Sequence, residues 1–365
     1  MTNLKEKLHG CIAASWVGSS MGAAVEGWSR EKIKDTYGFF DELVPHKCYQ
    51  GYTDWLRLPG TTEDGIERQK LIATAIIEKK GRILAHDLVQ VWVRDLEPER
   101  MTYKQEPFDR SLLQLARAGT PPVELGRLWP FPVVISMGRA SHPIGLINAG
   151  DPIAAADDTF EVGKVYANET TFALRWAALY NASIAEACKP DATVESVLAV
   201  AKEFVSYHAE AGELYALYDT IETEVNRALE LAEKHTDPMK MRDEFYDYYD
   251  CTSFINYYIS QANEIIAKGL AVFALSKGNT KEAILTAVNF GRDTDCLAAV
   301  AGGLAGALTG SGDMPKEWID QVNEATRQDP YTNNKRTIEE TVDGLYEAFL
   351  AKQKRLKEYV ALMAE

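Results

Sequence analysis

Cysteine and paired histidine ligands are scarce in this 365-residue sequence. Its five cysteines are Cys11, Cys48, Cys188, Cys251 and Cys296. Their odd number and scattered spacing argue against a disulfide framework and a cysteine-rich metal site, and they predict reduced thiols in a cytoplasmic protein. The six histidines include no pair spaced along one helix face, which disfavours a histidine zinc site.

Long apolar segments and an excess of basic charge are also absent. The most apolar stretch, Leu297 to Leu308, is well short of the roughly 20 residues of a membrane span and predicts a buried helix. The N-terminal segment lacks the basic-then-apolar pattern of a secretion signal. Lys and Arg total 39 against 54 Asp and Glu, a net charge of -15, which disfavours nucleic acid and anionic membranes as partners. Walker, Rossmann and serine-hydrolase motifs are missing too.

Apolar residues recur mainly with helical period, for example in the segments that begin at Lys70, His86, Arg110 and Glu195 and near Leu345. One short run, PVVIS from Pro132, is the best candidate strand. No long linker, fixed repeat or change of composition divides the chain. We therefore predict an all-α fold, a compact helical bundle, with residues 1–365 in a single domain.

The first informative segment runs from Gly10 to Gly27. Small residues recur every four positions at Gly10, Ala14, Gly18 and Gly22, a stripe that lets another helix backbone approach closely and that helix packing alone explains. Glu26 follows an apolar stretch and precedes glycine, so we expect it to be partly buried and to need a partner. A cation is one such partner.

The second segment is Thr62-Glu63-Asp64-Gly65, directly before an amphipathic run. A hydroxyl and two acids at this place are typical of a helix N-terminus, where they cap free amides and face the positive end of the dipole. Taken alone, the segment favours a helix cap over a metal site.

The third segment, Arg292-Asp293-Thr294-Asp295-Cys296, begins an Ala- and Gly-rich helix. Asp293 and Asp295 bracket a threonine, a spacing that aims two carboxylates at one point, and such hard oxygen ligands suit Mg²⁺, Mn²⁺ or Ca²⁺. Capping and metal binding fit this segment equally well. If Glu63, Asp64, Asp293 and Asp295 meet, their repulsion requires neutralisation, which two bridged divalent ions would supply.

The order of these segments resembles the ADP-ribosylglycohydrolase superfamily. That family has a Gly-Asp-Ala-rich N-terminal stretch ending in Glu-Gly, a Thr-Asp-Asp-Thr loop, and a late Gly-Asp-Thr-Asp-Thr/Ser loop before an Ala/Gly helix. Gly18–Gly27, Thr62–Gly65 and Arg292–Cys296 correspond to these motifs, and the resemblance extends to about Trp318. It implies an all-α metal-dependent glycohydrolase that cleaves a bond to ADP-ribose or a related sugar, with water attacking the anomeric carbon.

The resemblance also implies site residues. The metal ligands for two Mg²⁺ or Mn²⁺ ions would be Thr62, Glu63, Asp64, Asp293 and Asp295, with Cys296 at the place of a hydroxyl ligand. Glu26 would be a catalytic carboxylate near both metals and substrate, together with Glu63, Asp64 and Asp293.

The chain departs from the family pattern at several of these positions. Glu63 replaces an Asp, Cys296 a Ser or Thr, Ser19 an Asp, and Arg292 a Gly. Arg292 places a positive charge beside the acids, where it could lessen the need for a second metal ion or bind an anionic substrate group.

The region that supplies a glycine-rich diphosphate loop in the family reads WPFPVVISM here. Prolines donate no N–H, which argues against a phosphate cradle, whereas Trp129 and Phe131 could stack on a base or sugar ring. A small-molecule glycoside or ADP-ribosyl substrate is therefore the leading hypothesis. Two alternatives stay open: a non-catalytic ligand-binding or structural relative, and a metal-dependent enzyme of another reaction class acting on a non-sugar substrate.

Overall fold

The structure is a computed structural model that describes residues 2–48, 51, 53–105, 107–129, 131, 133–167, 172–208, 220–249 and 260–364. Within these residues the regular secondary structure is helical, which confirms the all-α prediction. The first ten helices are α1 Leu4–Gly22, α2 Arg30–Tyr37, α3 Asp64–Lys79, α4 Ala85–Asp95, α5 Pro98–Lys104, α6 Pro107–Arg117, α7 Pro122–Arg127, α8 Ser136–Ala140, α9 His142–Ile147 and α10 Pro152–Gly163. The others are α11 Phe172–Ala187, α12 Val194–Glu203, α13 Ile221–Lys234, α14 Pro238–Tyr249, α15 Ala262–Leu275, α16 Thr280–Val288, α17 Thr294–Thr309, α18 Lys316–Gln328 and α19 Ile338–Met363, with a 3-10 turn at Phe204–Ser206.

The amphipathic segments that the sequence assigned to helices lie in α3, α4, α6, α12 and α19. The candidate strand is wrong for its described residues: Val134 makes only an isolated bridge with Gln261, and Ser136 already begins α8. A strand needs a partner of similar length to satisfy its backbone groups, and this run has none among the described residues.

Four helices, α1, α11, α15 and α17, are apolar on nearly every side and form the centre of the molecule. Nearly all residues of α11 and all residues of α17 up to Leu308 are buried, which confirms the buried helix at Leu297–Leu308. A helix without a polar face must be surrounded by other elements. The remaining helices supply those surroundings, and one hydrophobic cluster extends from Leu8 to Phe349.

The small-residue stripe of α1 packs against α17. A Cβ atom added at Gly18 would lie 2.5 Å from the carbonyl oxygen of Ala298, and one added at Gly22 would lie 2.5 Å from Cα of Asp295. Glycine therefore allows the two helix backbones to touch, as the stripe predicted. The close contact at Gly22 also sets the position of Asp295 at the start of α17.

A buried polar network joins these central helices around His142. Gln69 Nε2 donates to His142 Nδ1 at 3.0 Å, and His142 Nε2 donates to the carbonyl oxygen of Ala299 at 3.1 Å. Trp16 Nε1 donates to Gln69 Oε1 at 2.7 Å, which fixes the orientation of the amide. The imidazole is therefore held in its neutral form, with the proton on Nε2.

This network predicts a loss of stability in mild acid. Burial lowers the pKa of His142 to about 4, although its hydrogen bond to the Ala299 carbonyl acts in the opposite direction. The unfolded state takes up the proton near pH 6.5 and the folded state only near pH 4, so the stabilisation is complete above pH 6.5 and is lost as the pH falls to 4. We expect this residue to contribute on the order of 3 kcal/mol to that loss.

The measurement is the free energy of unfolding at pH 7 and pH 4.5 for the wild type and His142→Gln. The variant should lose less stability between these pH values than the wild type does. His86→Gln, at an exposed position of α4, is the matched control and should follow the wild type. An equal pH dependence in His142→Gln and the wild type would contradict the prediction.

The predictions on cysteines, membrane-spanning helices, domain number and cellular location have different outcomes. Cys11, Cys188 and Cys296 are free thiols, as predicted, and Cys251 lies outside the described residues. Among the helices described, none has both the length and the apolar character to cross a bilayer. A single domain over residues 1–365 and a cytoplasmic location stay predictions.

Candidate active site

Two loops and the start of α3 converge at the C-terminal end of α1. The loop after α1 is joined to the loop before α17 by two backbone hydrogen bonds of 2.8 Å, from Gly27 N to Arg292 O and from Arg292 N to Trp28 O. Gly291 and Arg292 both have positive φ, 79° and 64°, a conformation that glycine adopts readily and that makes the turn before α17 tight. Thr294 Oγ1 donates to the carbonyl oxygen of Gly22 at 2.7 Å and anchors the Asp-Thr-Asp segment to α1.

This arrangement brings five acids together: Glu26, Glu63, Asp64, Asp293 and Asp295. Burial raises the pKa of Glu26 well above its usual range, and the other four carboxylates raise it further. Burial, followed by the neighbouring Asp293, likewise raises the pKa of Asp295. The structure thus places in one cluster the carboxylates that the three sequence segments contributed.

Asp293, Asp295 and Cys296 form the group that is best arranged for a metal ion. One ligand atom from each lies within 4.8 Å of the others, and all three side chains are buried. Asp293 Oδ1 accepts the helix-capping bond from Cys296 N at 3.2 Å, while Asp293 Oδ2 and Asp295 Oδ1 are buried without a hydrogen-bond partner in the described residues. Helix capping and metal binding are therefore compatible at Asp293, because one oxygen caps α17 and the other is left for a cation.

The Cys296 thiol differs from the two carboxylates. Burial raises the pKa of this thiol well above its usual range, only partly offset by Arg139, whose Nη1 donates to Sγ at 2.9 Å. A protonated thiol is a weak ligand for hard ions such as Mg²⁺. The oxygens of Asp293 and Asp295 are therefore the donors in this group that suit a hard cation.

Glu63 and Asp64 carry basic partners that sequence reasoning did not identify. Glu63 Oε1 accepts from Arg57 and lies 3.1 Å from His46 Nε2. Although burial opposes ionisation, Arg57 and His46 outweigh it and lower the pKa of Glu63 well below its usual range. The isolated bridge between His46 and Arg57 holds both bases on this side of the site.

Asp64 Oδ2 accepts from Arg68 at 2.7 Å and also from Arg139. A Cβ atom at Gly65 would lie 2.7 Å from Cδ of Arg139, so this glycine makes room for the arginine. The i,i+4 spacing of Asp64 and Arg68 was visible in the sequence, but the tertiary partner Arg139 had no local signal.

The cap predicted at Thr62 is wrong in its details. Helix α3 begins at Asp64 with Glu63 as the N-cap residue, and the Glu63 side chain makes no capping bond. Thr62 is buried, and its carbonyl oxygen accepts from Lys104, which also donates to Asp329 Oδ2 at 2.8 Å. Lys104 therefore ties the loop before α3 to the segment after α18.

A cavity of about 340 Å³ opens beside the acidic cluster. Glu26, Glu63 and Asp64 form part of its wall, and Phe131, 43% exposed, and Phe108 contribute apolar surface to it. Two aromatic residues near the substrate region therefore differ in role. Phe131 lines the cavity, whereas Trp129 is only 5% exposed and lies behind it, edge-on to Phe108 at 4.7 Å between ring centroids.

Trp129 and Arg292, which the sequence offered for substrate contact, do not form the surface of this cavity. Trp129 supports the wall rather than forming its surface, because its indole Nε1 donates inward to the carbonyl oxygen of Phe131 at 2.8 Å. Arg292 does not line the cavity: its guanidinium pairs with the buried Glu264 at 2.7 and 2.9 Å. The positive charges beside the acids come instead from Arg57 and Arg139.

The described residues form a helical protein in which carboxylates gather at the starts of two helices, α3 and α17, beside a cavity. The model of the ADP-ribosylglycohydrolase family matches residues 1–355, and the chain belongs to this family. The family is one of hydrolases that are generally metal-dependent and act on ADP-ribosylated substrates.

Individual relatives are distant or similar only locally. The uncharacterized protein YegU of Escherichia coli (strain K12) is 20% identical over 331 residues, which cover 87% of this chain and 93% of that protein. The ADP-ribosylarginine hydrolase Tri1 of Pseudomonas putida (strain GB-1) is 49% identical over 47 residues, and that of Serratia proteamaculans (strain 568) is 45% identical over 49 residues. Each short match covers only 13% of either chain.

A solved structure described as an ADP-ribosylglycohydrolase-related protein complex has the same fold. Its TM-score is 0.65 at 19% identity, with 96% of this chain and 100% of that chain covered. This similarity supports the fold, and the chemistry of the site has to be argued from the residues themselves.

Proposed function

We propose that this protein is a glycohydrolase that cleaves an N- or O-glycosidic bond of a ribosyl or related glycosyl substrate with the help of a divalent cation. The observation that carries the proposal is the pair of unpartnered oxygens, Asp293 Oδ2 and Asp295 Oδ1, buried beside Glu26 at a cavity. Buried carboxylates without partners are costly unless a cation neutralises them. A divalent ion supplies Lewis-acid chemistry that can bind sugar hydroxyls and favour water attack.

The residues fit one ion better than two. Arg57 and Arg139 already compensate Glu63 and Asp64, so these acids do not require a second divalent ion for neutralisation. Asp293 and Asp295 would hold the ion, with Mg²⁺ or Mn²⁺ matching their oxygen donors. Thr62 and Cys296 are weaker candidates, since Lys104 occupies the Thr62 carbonyl and the Cys296 thiol stays protonated.

Glu26 is the acid best suited to move a proton. It is half-buried on the cavity wall and forms no ion pair with any described residue, whereas Glu63 and Asp64 are held by basic side chains. Burial and the neighbouring carboxylates raise its pKa, which makes it a better acceptor for a proton of the attacking water, and it would then transfer that proton to the leaving group. Its carboxylate oxygens would orient that water toward the anomeric carbon, while Glu63 and Asp64 keep the rest of the wall fixed.

Replacing Glu26 with glutamine should separate metal binding from glycoside hydrolysis. We expect Glu26→Gln to lower the rate of hydrolysis at least a hundredfold, because an amide does not accept the proton, while Mn²⁺ affinity changes less than threefold. The assay uses chelator-treated protein with added Mg²⁺ or Mn²⁺, and p-nitrophenyl β-D-ribofuranoside and ADP-ribosylated arginine as substrates.

The matched control is Glu42→Gln, an exposed acid outside the cluster, which should retain wild-type turnover. Hydrolysis by the wild type that continues after chelation, or a Glu26→Gln variant as active as the wild type, would contradict the proposal.

A non-catalytic binding protein is the second candidate. It is favoured by the basic partners of Glu63 and Asp64, which hold two acids in place without any metal. Metal binding that promotes ligand binding, without turnover of any glycoside, would favour this candidate.

A further inference from the structure

We infer that the cavity selects a glycoside that carries no phosphate group and whose leaving group is a flat aromatic ring, as in a nucleoside. This inference rests on the proposed function and narrows its substrate class. It follows from two independent features of the cavity: the way its charges are paired and the character of its apolar wall.

The basic side chains of the cavity are already committed to acids. Arg57 pairs with Glu63 and donates to the carbonyl oxygen of Tyr103 at 2.9 Å, and Arg139 pairs with Asp64. Lys104 pairs with Asp329, which lies behind the wall. All three bases are buried, so a phosphate would have to displace an internal carboxylate to reach any of them.

Among the described residues, the charge left over beside the cavity is negative, because Arg139 is shared between Asp64 and Asp295, whose Oδ2 lies 3.9 Å from Nη1. Glu26 lies on its wall, and Asp293 and Asp295 lie next to Glu26 in the interior. One divalent ion balances two of these three acids and leaves the site without the positive excess that a diphosphate requires. Pro130 and Pro132 flank Phe131 in the sequence and have no N–H groups to donate, which removes another usual means of binding phosphate.

The apolar part of the cavity wall suits an aromatic ring. Phe108 and Phe131 have ring centroids 5.1 Å apart and planes inclined at 53°, so they form a corner with the Phe131 ring partly exposed. Trp129 fixes this corner through its edge-on contact with Phe108 and its bond to the Phe131 carbonyl. Val133 and Val134 extend the apolar surface.

The size of the cavity agrees with this substrate class. About 340 Å³ lies at the lower end of the range for small-molecule sites, which is roughly 300–1,000 Å³. A sugar and one aromatic ring are compact ligands for such a space. Gln105 and Ser260 also line it and offer neutral hydrogen-bonding groups for the edge of the ring.

The test compares three ligands that share the adenosine unit: adenosine, adenosine 5′-monophosphate and ADP-ribose. Isothermal calorimetry in the presence of Mn²⁺ measures their dissociation constants on the full-length protein. We expect adenosine to bind at least tenfold more tightly than either phosphorylated ligand, and we expect this difference to shrink at high salt because it arises from charge. Equal or tighter binding of a phosphorylated ligand, or no binding of adenosine, would overturn the inference.

Phe131→Ala tests the aromatic wall. Loss of the stacking surface should weaken adenosine binding about tenfold and leave Mn²⁺ binding unchanged. Phe39→Ala, another half-exposed phenylalanine but outside the cavity, is the matched control and should bind like the wild type. Unchanged adenosine binding in Phe131→Ala would refute the role of the wall. The proposed function fails separately, if the wild type binds no Mn²⁺ or if hydrolysis of p-nitrophenyl β-D-ribofuranoside and ADP-ribosylated arginine continues after chelation.

Discussion

We expect Asp293→Asn to abolish metal-dependent stabilisation while the helix that Asp293 caps remains intact. Asparagine is as good an N-cap residue as aspartate, and its amide oxygen can still accept the bond that Cys296 N now gives to Asp293 Oδ1. What is lost is the charge on the unpartnered Oδ2, which we assign to the cation. The effect on metal binding is therefore separated from the effect on folding.

The expected stabilisation by Mn²⁺ follows from the fact that the ion binds the folded state and not the unfolded state. A ligand at a hundred times its dissociation constant stabilises the folded protein by about 2.7 kcal/mol, and this stabilisation should be present in the wild type and absent in Asp293→Asn. The metal-free variant should unfold at or above the wild-type temperature, because removing one charge relieves repulsion among the buried acids. Calorimetry should give one Mn²⁺ ion per wild-type chain.

Asp151→Asn is the matched control for this experiment. Asp151 caps α10 in the same way, accepting from Ala154 N at 3.0 Å, but it lies on the exposed start of that helix and outside the acidic cluster. Its variant should keep the full response to Mn²⁺. A wild-type response in Asp293→Asn would show that the cation binds elsewhere, and two ions per wild-type chain would refute the proposed compensation by arginine.

We expect Gly18→Ala to push the two central helices apart and to destabilise the protein by about 3 kcal/mol. The added Cβ would lie 2.5 Å from the carbonyl oxygen and 2.7 Å from the carbonyl carbon of Ala298. These are backbone atoms of α17, which cannot move aside as a flexible side chain could. The gain in helix propensity from glycine to alanine, about 1 kcal/mol, is too small to offset this clash.

Denaturant or thermal unfolding of Gly18→Ala and Gly312→Ala provides the measurement. Gly312 is exposed in a turn, has no heavy atom within 4 Å of an added Cβ and does not have positive φ, so its variant should stay within about 1 kcal/mol of the wild type. If both variants were equally stable, the close packing of α1 on α17 would be refuted.

The fold class could be predicted because the helical pattern and the glycine stripe are local properties of the sequence. The stripe from Gly10 to Gly22 specified a close helix contact, and the apolar run from Leu297 to Leu308 specified a buried helix, whatever their partners were. The partner itself, α17 for the stripe, required the tertiary structure. The short run at Val133 to Ser136 was misjudged because β-branched residues describe a half-buried surface rather than a strand.

For the candidate site, too, part could be predicted from the sequence and part required the tertiary structure. All five acids were identified by sequence, because Glu63, Asp64, Asp293 and Asp295 stand at the starts of helices and Glu26 follows an apolar stretch. Their convergence and their different surroundings depend on tertiary contacts: His46 and Arg57 reach Glu63, and Arg139 reaches Asp64, from segments without any local signal. Arg292 shows the converse, since its neighbours in sequence suggested the acidic site and its actual partner is Glu264.

By itself the sequence determined which residues carry negative charge, which helices must be buried and where glycine permits close approach. All of these follow from side-chain chemistry and helical period, which act over a few residues. Only the tertiary structure decided which acids are neutralised by arginine and which are left for a cation, because electrostatic compensation depends on distances between side chains far apart in the chain. That distribution of charge underlies the expectation of one metal ion and of a substrate without phosphate.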